Sequence, residues 1–295
     1  MRILITGGNG FLGSNMAKNL LNENDVLIVS RNNNNILDFI EDVKYMNTMD
    51  SNKIKEFDPE VVIHCAWSGG NSYSDSNSLN QIHDNIPQCI ELLNLITELK
   101  TKPHFIGFGS FSEYGKLTKK ATEKDREDPI NLYGVSKNSF KNISKVHCEQ
   151  NDILWSWIRP CYIYGPGDVD TRLIPSLINN ILNKEEVNLY DSNTTIDYLY
   201  IDDFCEAISK IIEFKSEGIF NICSNEEHNL SDIIKYIIKN TSADFEVNFD
   251  KSISRKYSSN YICGSNERLK SKTNWRPKVK IYEGLNRTIN YYKKK

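Results

Sequence analysis

Arg2-Ile3-Leu4-Ile5-Thr6-Gly7-Gly8-Asn9-Gly10-Phe11-Leu12-Gly13 opens the chain and decides its fold. Arg2 to Thr6 reads as a buried strand, and an apolar helical pattern begins at Phe11. Gly7, Gly10 and Gly13 stand between and just inside these elements. Glycine lets the backbone turn tightly and approach a pyrophosphate, and the helix start behind it offers free N–H groups and partial positive charge. With Phe11 and Leu12, these glycines form a candidate dinucleotide-binding turn.

Outward from that turn, strand and helix signals alternate. Strands are expected at Arg2 to Thr6, Asp25 to Ser30, Val43 to Met46, Glu60 to Cys65, His104 to Gly109 and Ile153 to Ile158. Helices are expected at Phe11 to Asn22, Ile36 to Glu41, Leu79 to Leu99 and Leu132 to Gln150. Parallel neighbours need crossovers, so this rhythm predicts an α/β fold, a Rossmann-type doubly wound parallel sheet. The rhythm breaks at Gly165-Pro166-Gly167. Helices then follow at Ile174 to Leu182, Asp202 to Phe214, Leu230 to Asn240 and Ile281 to Tyr292, with short strands at Val187 to Tyr190 and Gly218 to Cys223. The expected organisation is a dinucleotide-binding domain over residues 1–165, to which 197–223 return. A smaller mixed α/β substrate-binding lobe would comprise 166–196 and 224–295, over the sheet's carboxyl edge.

Composition narrows the function. A net charge of −3 over 295 residues gives no basic field for nucleic acid. No apolar run reaches the ~18–20 residues of a membrane span. The first strand begins at residue 2, so no leader peptide is expected. Seven cysteines, with no C-x-x-C pair, read as reduced, mostly buried thiols of a cytoplasmic protein rather than a disulfide frame or zinc site. No feature calls for a metal.

The chemistry is expected from Tyr133 and Lys137, spaced i and i+4 on one helix face. An ammonium beside a phenol favours the phenolate, so Lys137 is expected to pull the Tyr133 pKa down and fit it for proton transfer at a carbinol or carbonyl oxygen. Ser110 ends the strand before that helix, where open α/β sheets bind ligands, and its hydroxyl can reach the same oxygen. At the end of the second strand, the residue that reads the adenosine ribose is Arg31, with no carboxylate between Val26 and Leu37. A guanidinium there favours a 2′-phosphate, so NADP(H) is the preferred cofactor and NAD(H) the alternative.

These motifs resemble the extended short-chain dehydrogenases/reductases, the NAD(P)-dependent epimerase/dehydratase group that acts on nucleotide sugars. The resemblance spans Thr6 to Gly13, Val62 to Ala66, Asn85, Ser110 with Tyr114-Gly115, and Tyr133 with Lys137. It continues through Arg159-Pro160, Tyr164 to Gly167, and Asp197 to Asp203. It implies that Ser110 and Tyr133 bind and protonate the sugar oxygen and that Lys137 holds the nicotinamide ribose. It also implies that Asn85 braces the helix carrying the catalytic pair and that the Ala66 backbone lies near the cofactor. His64 is expected to be structural.

Dehydratases of this group carry Asp-Glu after the Ser/Thr; here Phe111 and Ser112 stand there, with Glu113 one residue late and facing elsewhere. Tyr162 replaces the usual Asn after Arg-Pro-x, and Ile196 replaces the usual Arg before Asp197. Arg172, Arg255 and Arg268 are the candidate replacements for holding a diphosphate, and Ser112 and Tyr162 join them at the substrate. The expected activity is an NADPH-dependent reduction of a nucleotide-linked 4-keto-6-deoxy sugar in surface-polysaccharide synthesis. The alternatives are a 4-epimerase holding NAD and a non-catalytic dinucleotide-binding protein. The helices Leu79 to Leu99 and Leu132 to Gln150 resemble a homodimer interface.

Overall fold

The computed structural model describes residues 1–31, 44–69, 78–190, 194–242, 245, 248–250 and 259–295. The expected helix at Ile36 to Glu41 lies outside the described residues, as does Arg255. Among the described residues, the first half runs β1 (Arg2–Thr6), α1 (Phe11–Leu20), β2 (Asp25–Val29), β3 (Lys44–Met46), α2 (Ser51–Phe57) and β4 (Val61–His64). It continues with α3 (Asn80–His83), α4 (Ile86–Thr97), β5 (His104–Phe108), α5 (Leu132–Gln150) and β6 (Trp155–Pro160). The second half comprises β7 (Tyr162–Tyr164), α6 (Leu173–Asn183), β8 (Asn188–Tyr190), β9 (Thr195–Ile196), β10 (Tyr198–Tyr200), α7 (Ile201–Glu213) and β11 (Gly218–Ile222). It ends with β12 (His228–Asn229), α8 (Leu230–Thr241), β13 (Asn248–Asp250), β14 (Tyr261–Ile262), α9 (Glu267–Thr273) and α10 (Ile281–Lys294).

Seven strands form one sheet in the order β11-β6-β5-β4-β1-β2-β3, all parallel. Side chains alternate faces along a strand, and both faces of this sheet are covered, which explains why the strands are apolar throughout. Ile3 and Ile5 join a core with α1, α6, α7, α8 and α10. Leu4, between them, joins the opposite core with Ile54 of α2, the Cys89 and Leu92 side of α4, and Phe140 of α5. The strand order reverses between β1 and β4, which opens a crevice at their carboxyl ends.

The structure departs locally from the expected elements. One helix was expected from Leu79 to Leu99, but it breaks between His83 and Ile86. Pro87 lacks an N–H and sits in the first turn of a new helix that starts after Asn85. Helix α2 went unread because its only buried side chain is Ile54. Its start was nonetheless written in Asp50, whose carboxylate accepts from the Asn52 and Lys53 amides at 3.1 and 3.2 Å. Strands β7 and β10, three residues each, pair in parallel through Tyr162 with Tyr198 and Tyr164 with Tyr200. Three-residue strands carry too little periodicity to be read from sequence. Among the described residues no helix is long and apolar enough to cross a membrane.

Candidate active site

Gly7 leaves β1 with φ +72°, and its backbone lies against Ala66: a Cβ there would sit 2.7 Å from the Ala66 nitrogen. Gly13 is as crowded, since its Cβ would meet the Gly7 oxygen at 2.4 Å. The Gly10 amide donates to the Gly7 carbonyl at 3.0 Å, and Gly10 caps α1. The turn thus folds flat over the sheet edge with first-turn amides that have no intrahelical acceptor. A dinucleotide pyrophosphate fits this cradle, and a side chain at Gly7 or Gly13 would collide with the backbone that forms it.

The cradle opens into a cleft of about 590 Å³ that also receives Ser110, Ser112, Tyr133, Lys137, Tyr162 and Arg172. Phe11 and Leu12, which follow the glycine turn, line it as well. Asn131 holds the start of α5 by accepting from the Gly134 amide at 2.7 Å, which places Tyr133 in the first turn. Ser110 caps a 3₁₀ turn, Phe111–Glu113; its hydroxyl accepts from the Ser112 amide at 3.1 Å and is hydrogen-bonded to the Tyr133 phenol. Lys137 donates to the Phe108 carbonyl at 2.8 Å.

The electrostatics differ from expectation. Burial raises the Tyr133 pKa above the usual phenol value, against the pull of Arg172 and the Ser110 hydrogen bond. Burial also lowers Lys137, to about 8, opposed by Cys89, Glu113 and Cys65. The phenol was expected to be acidified by its neighbour. Instead the low dielectric disfavours both charged forms, so the proton stays on Tyr133 through neutral pH.

Several other residues are placed differently from expectation. The hydrogen bonds of Asn85 run to the loop after β4 and to the Gln81 carbonyl rather than to α5. Its side chain accepts from the Ser68 amide at 2.6 Å and donates to the Ser68 carbonyl at 3.2 Å, clamping the loop after β4. Arg31 is exposed and donates to Ser68 Oγ at 2.5 Å, beside that loop rather than in the cleft wall. Arg268 packs its guanidinium over Phe220, 5.3 Å from the ring centroid, and does not line the cleft. Arg172 does, paired with Asp168 at 3.3 Å.

Glu113 turns away from the cleft, as its register implies. It is fully buried, accepts from the Ser110 amide at 2.9 Å and Trp157 Nε1 at 3.1 Å, and pairs with Arg159 at 2.8 Å. Arg159 also meets Glu127, which in turn meets Lys141 of α5. This buried chain of charges under the serine turn went unread, although Glu113 and Arg159 were both in view.

His64 is structural. Its Nδ1 lies 2.7 Å from Thr6 Oγ1 and its Nε2 lies 3.2 Å from Cys89 Sγ. Burial, aided by Lys137, depresses its pKa to about 3. The folded protein therefore refuses a proton that the unfolded chain accepts below about pH 6.5, so this histidine costs stability as pH falls. Wild type should lose about 1.6 kcal/mol more than His64→Gln between pH 6.5 and pH 5, read from urea midpoints at the two pH values. Equal losses would contradict a buried neutral imidazole.

Comparison with known proteins agrees with this geometry. The sequence model of the NAD dependent epimerase/dehydratase family matches residues 3–223. The chain is 23% identical to CDP-abequose synthase from Salmonella muenchen, over 98% of this chain and 97% of that protein. It is 26% identical to dTDP-6-deoxy-L-talose 4-dehydrogenase (NAD(+)) from Aggregatibacter actinomycetemcomitans, over 90% of this chain and all of that protein. Its fold matches the crystal structure of UDP-glucuronic acid 4-epimerase from Bacillus cereus with UDP-glucuronic acid and NAD, at TM-score 0.90 and 22% identity, covering 100% and 99% of the two chains.

Proposed function

The chain belongs to the NAD dependent epimerase/dehydratase family, and from that premise we propose that it is an NADPH-dependent 4-ketoreductase of a nucleotide-linked 4-keto-6-deoxy sugar. The observation that carries this reading is one cleft joining the glycine cradle to Ser110, Tyr133 and Lys137, with no carboxylate presented by the serine turn. Phe111 and Ser112 occupy that turn, and Glu113 is committed to Arg159 beneath it. Elimination of water needs an acid–base pair there. A bare reduction does not.

When bound, the reduced dinucleotide supplies a hydride. Gly7, Gly10 and Gly13 would hold its pyrophosphate and Lys137 its nicotinamide ribose. Ser110 donates a hydrogen bond to the sugar carbonyl oxygen. Tyr133, kept protonated by burial, delivers its proton to that oxygen as it becomes an alkoxide, and Ser110 steadies the developing charge. Arg172 and Tyr162, which also line the cleft, would receive the sugar diphosphate. The names of the relatives support the substrate class. A 4-dehydrogenase of a 6-deoxy sugar runs the same C4 chemistry in reverse.

The test is purified protein with 4-keto-6-deoxy nucleotide sugars and NADPH or NADH. Net consumption of NADPH with formation of the 4-alcohol is expected. Interconversion of C4 epimers without net consumption, by protein that carries NAD from purification, would replace this reading with the epimerase one. The cofactor preference rests on Arg31. Arg31→Ala is expected to weaken NADP binding about tenfold and leave NAD binding within twofold, measured by titration. Equal weakening of both would remove the 2′-phosphate role.

The same reading includes a homodimer in the cytoplasm, a compartment suited to seven free thiols. Ile82 of α3 and Ile90 of α4, with Ile143 and Val146 of α5, are exposed large apolar side chains on elements that pack together. Ile143→Glu with Val146→Glu should shift the mass in solution from dimer to monomer by light scattering; an unchanged mass would place the interface elsewhere.

A further inference from the structure

Trp67 stands in the loop that follows β4, and its indole lies over the Lys137 ammonium, 3.7 Å from Nζ to the ring centroid. It is edge-on to Tyr133 at 6.4 Å and 87°, and 6.5 Å from Phe140. Hydrogen bonds fix the ring and the loop that carries it. Its Nε1 donates to Gln81 Oε1 at 2.8 Å. Gln81 is itself buried and also reaches the Gly69 carbonyl. Asn85 clamps the next residue, Ser68, through both its amide and its carbonyl. Neither Trp67, Gln81 nor the Ser68 clamp is explained by the reaction assigned above.

Lys137 needs such a neighbour. Its ammonium is buried, with the Phe108 carbonyl as hydrogen-bond acceptor. The groups that face it are His64 and Cys65 at the end of β4, Cys89 of α4, Glu113 of the 3₁₀ turn and Tyr133 of its own helix. His64 is neutral, burial keeps the Cys65 and Cys89 thiols protonated, and Glu113 is spent on Arg159. Among the described residues, Glu113 is the carboxylate that supports the ammonium, and it already pairs with Arg159. The negative face of an indole adds to that support, and such contacts strengthen when desolvated.

We propose that Trp67 is a positioning residue for Lys137: its indole face, aimed by Gln81, keeps the ammonium charged and directed into the cleft. Asn85 then acts on the site at one remove, by fixing the loop that carries Trp67. The inference concerns this chain's own side chains and holds whichever sugar is reduced or epimerised.

The test reads the ammonium directly in ligand-free protein. The pH dependence of Lys137 acetylation by limiting acetic anhydride, followed by peptide mass spectrometry, gives its titration midpoint without turnover. The midpoint is expected to fall by roughly one pH unit in Trp67→Leu and by less in Trp67→Phe, which restores an aromatic face. Gln81→Leu, which frees the indole without removing it, should give an intermediate fall. An unchanged midpoint in folded Trp67→Leu overturns the proposal, as does an equal fall in Trp67→Leu and Trp67→Phe. Should Trp67→Leu not fold, wild-type tryptophan fluorescence is titrated instead. A transition that vanishes in Lys137→Met supports the contact, and one that persists overturns it. Because no sugar or dinucleotide is present, failure here is distinguishable from failure of the assigned reaction.

Discussion

Tyr133→Phe is expected to lower kcat by about 10²–10⁴-fold while leaving dinucleotide affinity and thermal stability nearly unchanged. The phenol hydrogen-bonds Ser110 at the cleft wall, and no core group depends on it, so its removal takes away a proton and little packing. Steady-state rates with a 4-keto-6-deoxy nucleotide sugar, beside a dinucleotide titration of the same variant, check both halves. A variant retaining a tenth or more of wild-type kcat would mean that another group protonates the oxygen, with Ser110 the first to examine. The raised pKa of Tyr133 gives the pH sense. Reduction needs the phenol protonated, so activity should hold through neutral pH and fall only on the alkaline side, where either the phenol or Lys137, near 8, loses its proton.

Glu113→Ala is expected to destabilise the protein by about 3–5 kcal/mol, a large share of the stability of a domain. The substitution strips the fully buried Arg159 of one anionic partner and leaves the Ser110 amide and Trp157 Nε1 without their acceptor. Glu127 remains on the other side of the guanidinium, so the loss is bounded rather than total. Urea unfolding of Glu113→Ala and Glu113→Gln decides the issue. The glutamine keeps an acceptor for the two N–H groups, so it should lose less. A loss under about 1 kcal/mol in the alanine variant would show that Glu127 alone balances Arg159. The pair also bears on the proposed reaction, since the same carboxylate holds the backbone of Ser110.

Legibility in the sequence followed the range of the physics involved. The glycine turn was readable because its demands are local: a positive φ at Gly7 and two positions where a Cβ meets backbone. Tyr133 and Lys137 were readable because a helix converts a spacing of four into a shared face. The apolar strands of the sheet announced themselves by burial on both faces. The break at Asn85 was missed even though Pro87 was in plain view, because a proline in a first turn is compatible with a helix that starts there or one that merely bends.

What the sequence by itself determined was the parallel sheet, the cradle, and the shared helix face of Tyr133 and Lys137, since each follows from contacts along one strand, one turn or one helix; Arg31 and Arg268, expected at the same cleft, lie outside its lining. Only the tertiary structure decided their electrical state and their supports. Burial reversed the expected titration of Tyr133 and placed an indole over Lys137. It bound Glu113 to Arg159 across 46 residues, and turned Asn85 from the helix to the loop. Desolvation and long-range pairing depend on what the rest of the chain brings alongside, which no local pattern records.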